Sequence, residues 1–334
     1  MLKGESVAAD TWRYGDTYEW MEHLKRGFGP MIITCALNGG VQGKESNPAL
    51  PETPEELAKA AYDAWNAGAA AVHVHARDPE NLADCTQRSE VFLEINARIR
   101  ERCPDLIINN TTGGGPTVTM EDRHEGLEAR PELASLNLGP DMSRFKIPPR
   151  PAPLPHAHDG FLYDDCIPFT YGIVERLARR MQEYAIKPEM EIYQPGQFWV
   201  SQFVIDAGLV EPPYFHQFVM GYQTSTFATP WALADLVRDL PEGSVFSVCG
   251  IGPFQLPMTT MSTLMGGHVR VGLEDNIYFA RGRKLAGNGE AVERAVRIAT
   301  ELNREVASPA QAREILAIPS EPRHYERRRE AAVS

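Results

Sequence analysis

The chain has 334 residues, 43% of them hydrophobic and 23% charged, with a formal net charge of −12 at pH 7. This is the composition of a soluble globular protein with ample core, and the acidic balance argues against a nucleic-acid partner, which would require a basic face. No apolar run reaches the length of a membrane span, the five cysteines (Cys35, Cys85, Cys103, Cys166, Cys249) are scattered without a CxxC pair, and residues 1–20 lack an apolar signal region, so a cytoplasmic protein with reduced thiols is expected.

Residues 1–30 form an arm bearing Trp12, Tyr14, Tyr18 and Trp20. It has no clear period, yet it is too aromatic for a disordered tail, so it is expected to pack on the main body or on a neighbouring subunit. The apolar run at 31–36 reads as a buried strand that ends in Asn38-Gly39-Gly40. Thr53-Pro54-Glu55-Glu56 supplies an N-cap, a proline at the first helical position and acids in the first turn, opening a helix that runs to Ala67. Ala71-Val72-His73-Val74-His75-Ala76-Arg77-Asp78 then alternates as a short strand. A helix follows at 89–102, where Phe92, Ile95 and Ile99 recur at three to four. A strand at 106–110 runs into Thr111-Thr112-Gly113-Gly114-Gly115, and another at 133–137 ends near Gly139.

The Pro-rich segment that follows, about 141–170, reads as a long irregular loop with a functional or oligomeric role. Beyond it the pattern alternates: helix 171–184, strand 189–193, helix 198–207, strand 215–220, helix 231–240, strand 244–248, helix 257–265, strand 268–272 and helix 291–306. Eight strands alternating with helices predict an α/β fold, a (β/α)₈ TIM barrel over 31–316, with the insertion after strand 4 and a tail at 317–334. The competitor is an open doubly wound sheet, weakened by the lack of GxGxxG after the first strand.

Barrel chemistry sits at the C-terminal strand ends. That rule selects His73 and His75, which share one strand face, then Thr111, Thr112, Ser135, Asn137 and Glu191, and finally Arg270, Glu274 and Asp275. Ring closure sets strand eight beside strand one, so Glu274 can reach the two histidines. Two histidines and one carboxylate leave coordination positions open, the pattern of a catalytic rather than a structural metal site. Each choice has a plainer reading. The histidine pair is compatible with a satisfied core residue and a coincidence, Arg270 and Asp275 with an ordinary ion pair, and the 111–115 stretch with a simple turn rather than a set of N–H groups and hydroxyls receiving an anion or thioester. A second HxH, His156 and His158, lies in the Pro-rich segment and reads as a solvated or interface loop, and His216 reads as core.

Taken together, these motifs resemble one known family, the β-keto acid cleavage enzymes. The marks are Ala67-Gly68-Ala69 leading into the His73/His75 stretch, Thr111-Thr112-Gly113-Gly114, Ser135-Leu136-Asn137, Pro188-Glu189-Met190-Glu191-Ile192-Tyr193, Gly250-Ile251-Gly252, Gly266-Gly267-His268-Val269-Arg270-Val271-Gly272-Leu273-Glu274-Asp275-Asn276, and the stretch at 307–316. The resemblance implies a zinc-dependent barrel in which His73, His75 and Glu274 hold Zn²⁺. It also implies a reaction in which a β-keto acid and acetyl-CoA, the co-substrate, give acetoacetate and the CoA ester of the remaining acyl group. Asp275 would be the base, oriented by Arg270, and Thr111 and Ser135 match positions that carry a small hydroxyl in the substrate site. With Thr112, Gly113, Gly114, Asn137 and Glu191 these make up the expected substrate-binding set.

A homo-oligomer, with a tetramer as the favoured assembly, is the implied quaternary state. Members that take an amino-substituted acid carry a carboxylate in the loop after strand one. Here that loop, Asn38-Gly39-Gly40-Val41-Gln42-Gly43-Lys44, has none near Gly40 and Val41, which argues against a primary amine. Two other readings remain: a metal-dependent hydrolase on an amidohydrolase-like barrel, and a non-catalytic barrel that binds a small acid.

Overall fold

The computed structural model describes residues 11–326. Eight parallel strands close into a barrel: β1 (Ile33–Ala36), β2 (Ala71–Val74), β3 (Ile107–Asn110), β4 (Leu133–Asn137), β5 (Lys187–Ile192), β6 (Tyr214–Met220), β7 (Ser244–Gly250) and β8 (His268–Val271). Each strand pairs with its sequence neighbours, and β8 closes on β1 with Thr34 opposite Arg270. On the other side of β1, Ala36 lies opposite His73. The doubly wound alternative is therefore excluded.

Strand alternation sorts the barrel into layers. Outward residues such as Val72, Val74, Met190, Ile192, Phe218 and Val248 pack under the helices. At the N-terminal end, Ile32, Ala71, Ile107, Leu133, Phe215 and Val245 form an apolar plug, covered by the helix Pro309–Leu316 through Ala312, Ile315 and Leu316. Above the plug the alternation brings Thr34, Asn109, Glu189, Gln217 and Ser247 inward, all buried. The next inward layer holds His73, Glu191 and Arg270. Polar residues inside a barrel are costly unless they are bonded or used, so this gradient points to the C-terminal mouth.

The helices start where their caps say. Thr53 and Glu56 form a reciprocal capping box with Pro54 in the first turn of the helix Pro54–Asn66. The arm, expected to lack a clear period, is partly helical, Thr17–Arg26, with Asp16 as its N-cap. Trp12 stacks on His23 with ring centroids 4.2 Å apart, and Tyr14 meets Phe246 of β7 edge-on at 4.9 Å, so the described part of the arm packs on this chain's own barrel, while residues 1–10 lie outside the described residues. No helix is long and apolar enough to cross a membrane among the described residues.

Two sequence expectations need correction. The 71–78 strand is two: β2 stops at Val74, and Ala76–Asp78 pairs antiparallel with Asn81–Thr86. The segment at 141–170 is not irregular throughout, because Asp141–Ile147 and Phe161–Ile167 form a regular antiparallel hairpin. Its inner face carries Asp141, Ser143, Phe145 and Ile147 and its outer face Met142, Arg144 and Lys146. With polar and apolar residues on both faces, no hydrophobic alternation marks it as a strand.

Candidate active site

β2 ends one residue before His75, so His73 is held by the ladder and His75 by a side chain. Asn38, just past β1, accepts from the His75 N–H (3.1 Å) and donates to its carbonyl (3.0 Å). Opposite them, the turn after β8 carries Glu274 and Asp275. Gly39 allows the two turns to meet: it adopts φ +68°, and a Cβ there would lie 2.7 Å from Cγ of Glu274.

The result is one cluster. Single donor atoms of His73, His75 and Glu274 all lie within 4.8 Å of one another. Glu274 Oε1 is 3.2 Å from His75 Nε2, and its Oε2 is 3.8 Å from His73 Nε2. That Oε2 and Nδ1 of both histidines are buried without a hydrogen-bond partner. Burial lowers the His73 imidazole to about 3; His75 feels the same burial but is raised to about 9 by the Glu274 carboxylate. Glu274 resists its own burial and is held well below the ordinary carboxylate range by Arg270 and the two imidazoles. An ionised carboxylate with an unpartnered oxygen facing Nε2 of a neutral imidazole is a donor set that fits a divalent cation.

Arg270 organises the neighbouring acids. Its Nε donates to Asp275 Oδ2 (3.0 Å), and its Nη2 donates to Asp275 Oδ1 (2.9 Å) and Glu274 Oε1 (2.6 Å). Its Nη1 lies 3.6 Å from Glu191 Oε1. Burial raises Asp275 in spite of Arg270. Burial likewise pushes Glu191 up to about 8 against the pull of the same guanidinium.

These groups open into a cavity of about 590 Å³. Of the residues singled out in the sequence, His73, His75, Thr111, Gly113, Gly114, Asn137, Glu191, Arg270, Glu274 and Asp275 all line it. Thr112 and Ser135 stand behind the wall. The Thr112 N–H donates to Ser135 Oγ (3.0 Å) and the Thr112 hydroxyl to the Ser135 carbonyl (2.7 Å), so both hydroxyls are engaged with the backbone. Asn137 uses its Oδ1 to accept from the Gly139 N–H (3.1 Å).

Sequence reasoning missed several wall residues. Asp141, Phe145, Ile147 and Ile167 come from the hairpin, with Arg123, Tyr193 and Tyr222 beyond it. Arg123 sits in a 3₁₀ helix, Asp122–Ala129, whose sequence carries no site pattern. His156 and His158 do not join the cluster: His156 Nδ1 accepts from the Leu82 N–H and His158 Nδ1 from the Gly160 N–H. His216 points outward to Ser201 Oγ at 2.8 Å and is core, as its sequence context suggested.

The chain matches the family described as beta-keto acid cleavage enzyme over residues 30–318. It is 36% identical over 288 residues to the 3-keto-5-aminohexanoate cleavage enzyme of Fusobacterium nucleatum, covering 86% of this chain and 98% of the relative. It is 34% identical over 301 residues to the 3,5-dioxohexanoate:acetyl-CoA acetone transferase of Paraburkholderia graminis, covering 86% and 96%. Among solved structures, apo ObcA superposes with a TM-score of 0.65 at 18% identity, covering 81% of this chain and 66% of that one, a likeness of fold.

Proposed function

From the premise that this chain belongs to the β-keto acid cleavage enzyme family, we propose that it transfers the acyl part of a β-keto acid to the CoA of acetyl-CoA and releases acetoacetate, with a zinc ion held by His73, His75 and Glu274. The observation that carries the reading is the cluster itself: two imidazoles and a carboxylate on the mouth of a barrel, beside a second carboxylate clasped by arginine. A divalent cation bound there would supply Lewis-acid polarisation of the substrate oxygens.

The chain's own residues do the rest. Asp275 takes the proton from C2 of the β-keto acid, its carboxylate oriented by the two bonds from Arg270. The enolate carbon forms a bond to the thioester carbonyl, and the C–S bond breaks with the electron pair going to the thiolate. The thiolate adds to the former keto carbon, and the C2–C3 bond breaks to give the new acyl-CoA. The departing acetoacetate enolate takes its proton back from Asp275. Phe145, Ile147 and Tyr193, contributed by the hairpin and the β5 turn, line the cavity with apolar and aromatic surface that would limit hydrolysis of the thioester by water. The β1 loop places Gly39, Gly40, Val41 and Gln42 in the wall and no carboxylate, which supports an acid without a primary amine as substrate.

An amidohydrolase-like site would need further metal histidines on β5 and β6. Here β5 supplies Glu189 and Glu191, and the β6 histidine faces away from the barrel interior.

The test is carbonyl-labelled acetyl-CoA with a panel of β-keto acids, read by mass spectrometry, alongside metal analysis of the wild type and His73→Ala. Label in acetoacetate, about one zinc per chain in the wild type, and loss of both in His73→Ala are expected. Metal-replete protein that leaves label in acetate or in unreacted thioester would sink the acyl-transfer reading.

A further inference from the structure

Two buried side chains that the acyl-transfer scheme does not use both bond to the same loop. Gln87 is 2% exposed and Arg123 is 3% exposed. The Gln87 amide donates to the carbonyls of Thr111 (3.4 Å) and Gly113. Nη1 of Arg123 donates to the carbonyl between them, that of Thr112 (3.2 Å). Three consecutive carbonyls of the loop after β3 are thus held by two buried side chains.

For Arg123 this is an unusual use of a buried charge. Among the described residues no carboxylate lies within ion-pair distance of it, its Nε has no partner, and its guanidinium lies over the Phe169 ring at 5.5 Å. A desolvated cation spent on a single carbonyl is costly as pure structure, and Arg123 lines the same cavity as the metal cluster.

Peptide planarity turns this into a statement about donors. In a trans peptide the N–H points opposite to the C=O of the preceding residue. Fixing the Thr111 and Thr112 carbonyls therefore fixes the N–H groups of Thr112 and Gly113, which donate to Ser135 Oγ and to Thr111 Oγ1 (2.9 Å). Fixing the Gly113 carbonyl directs the Gly114 N–H the other way, and that group has no acceptor among the described residues. Because Thr111 Oγ1 accepts from Gly113, its own proton is left to donate. Thr111 and Gly114 both line the cavity, and the loop abuts the cluster: a Cβ on Gly113 would stand 3.8 Å from Cε1 of His75. The close seat is possible only for glycine, since a Cβ on Gly115 would lie 2.4 Å from the Gly40 carbonyl oxygen.

We propose that Gln87 and Arg123 are positioning residues that lock the 111–115 peptides so that the Thr111 hydroxyl and the Gly114 N–H form an oxyanion hole for the thioester carbonyl. In the step they serve, the enolate carbon bonds to the thioester carbon and the carbonyl π pair moves on to oxygen. No proton moves. The two donors meet charge that exists only at that point, with the Arg123 charge behind them. The inference rests on the acyl-transfer reading.

A half-reaction separates the two. Exchange of the C2 proton of the β-keto acid for deuterium, followed by NMR without acetyl-CoA, needs the base and the metal cluster but no thioester. Gln87→Met and Arg123→Met should keep enzyme-catalysed exchange and the KM for acetyl-CoA, while kcat for acetoacetate falls about 100-fold, the scale of a misplaced donor. Arg123→Lys, which restores a cation, should recover part of that loss. Exchange falling in parallel with kcat, in folded Gln87→Met or in Arg123→Lys, would assign the pair a merely structural role and overturn the inference, as would an unchanged kcat. A wild type that exchanges but never makes labelled acetoacetate would overturn the acyl-transfer reading, and the inference with it.

Discussion

Asp275 and Glu274 are adjacent acids that one guanidinium sends in different directions. Arg270 holds both oxygens of Asp275 yet touches only Oε1 of Glu274, leaving Oε2 toward His73. That geometry supports the proposed division of labour, Asp275 as the base and Glu274 as a metal ligand, and the proposal predicts separable losses. Asp275→Asn keeps the shape and the arginine contact but cannot accept the C2 proton. Both exchange and acetoacetate release should drop about 10²–10⁴-fold, while metal content stays at the wild-type level. An Asp275→Asn protein that still exchanges at the wild-type rate would remove Asp275 as the base. His73, His75, Arg270, Glu274 and Asp275 were legible in the sequence because they fall in two short stretches at strand ends, HxH and the run from Arg270 to Asp275. Asn38, Gln87 and Arg123 were not. They act on backbone carbonyls and N–H groups, and no residue pattern announces which carbonyl a distant side chain will find.

At the scale of elements, the barrel was readable from alternation and caps, whereas the wall of the cavity was not. The hairpin Asp141–Ile147/Phe161–Ile167 contributes five lining residues, and its attachment is long-range, through Ser143 to Tyr222 and Asp141 to Thr224. In the connection between its two strands, Arg150 is 1% exposed and donates through Nη1 and Nη2 to the two oxygens of Glu52 (2.7 and 2.8 Å) and through Nη1 to Glu45 (2.7 Å). These contacts span about a hundred residues of sequence and tie the Pro-rich stretch to the loop before the helix Pro54–Asn66. Removing one partner of a buried pair leaves the other charge uncompensated. Arg150→Met should therefore cost about 3 kcal/mol in urea unfolding. It should also open the hairpin to limited proteolysis near 148–160 before the barrel is cut, with a raised KM for the β-keto acid. Equal protease resistance in variant and wild type would detach the hairpin's seating from Arg150.

For the whole molecule, a net charge of −12 bears on the surface and is silent on the interior. The interior carries a consequence for acid stability. His216 is buried against Ser201, and His268 accepts from the Ile32 N–H through Nδ1 (3.1 Å). Burial lowers His216 from 6.5 to about 4 and His268 from 6.5 to about 3. Between pH 6.5 and about 4 the unfolded chain protonates both while the folded chain protonates neither, so the unfolded state binds more protons and stability falls as pH falls. The contribution is fully present above pH 6.5 and is lost toward pH 4 for His216 and toward pH 3 for His268. Each group then removes about 1.4 kcal/mol per pH unit across its window. Between pH 7 and pH 5, His216→Gln should abolish roughly 2 kcal/mol of that decline, even though it lowers stability at pH 7 by disturbing the Ser201 contact. Urea unfolding of both proteins at the two pH values measures the difference directly. Parallel losses in wild type and variant would place the acid sensitivity on other groups and leave His216 a packing residue alone.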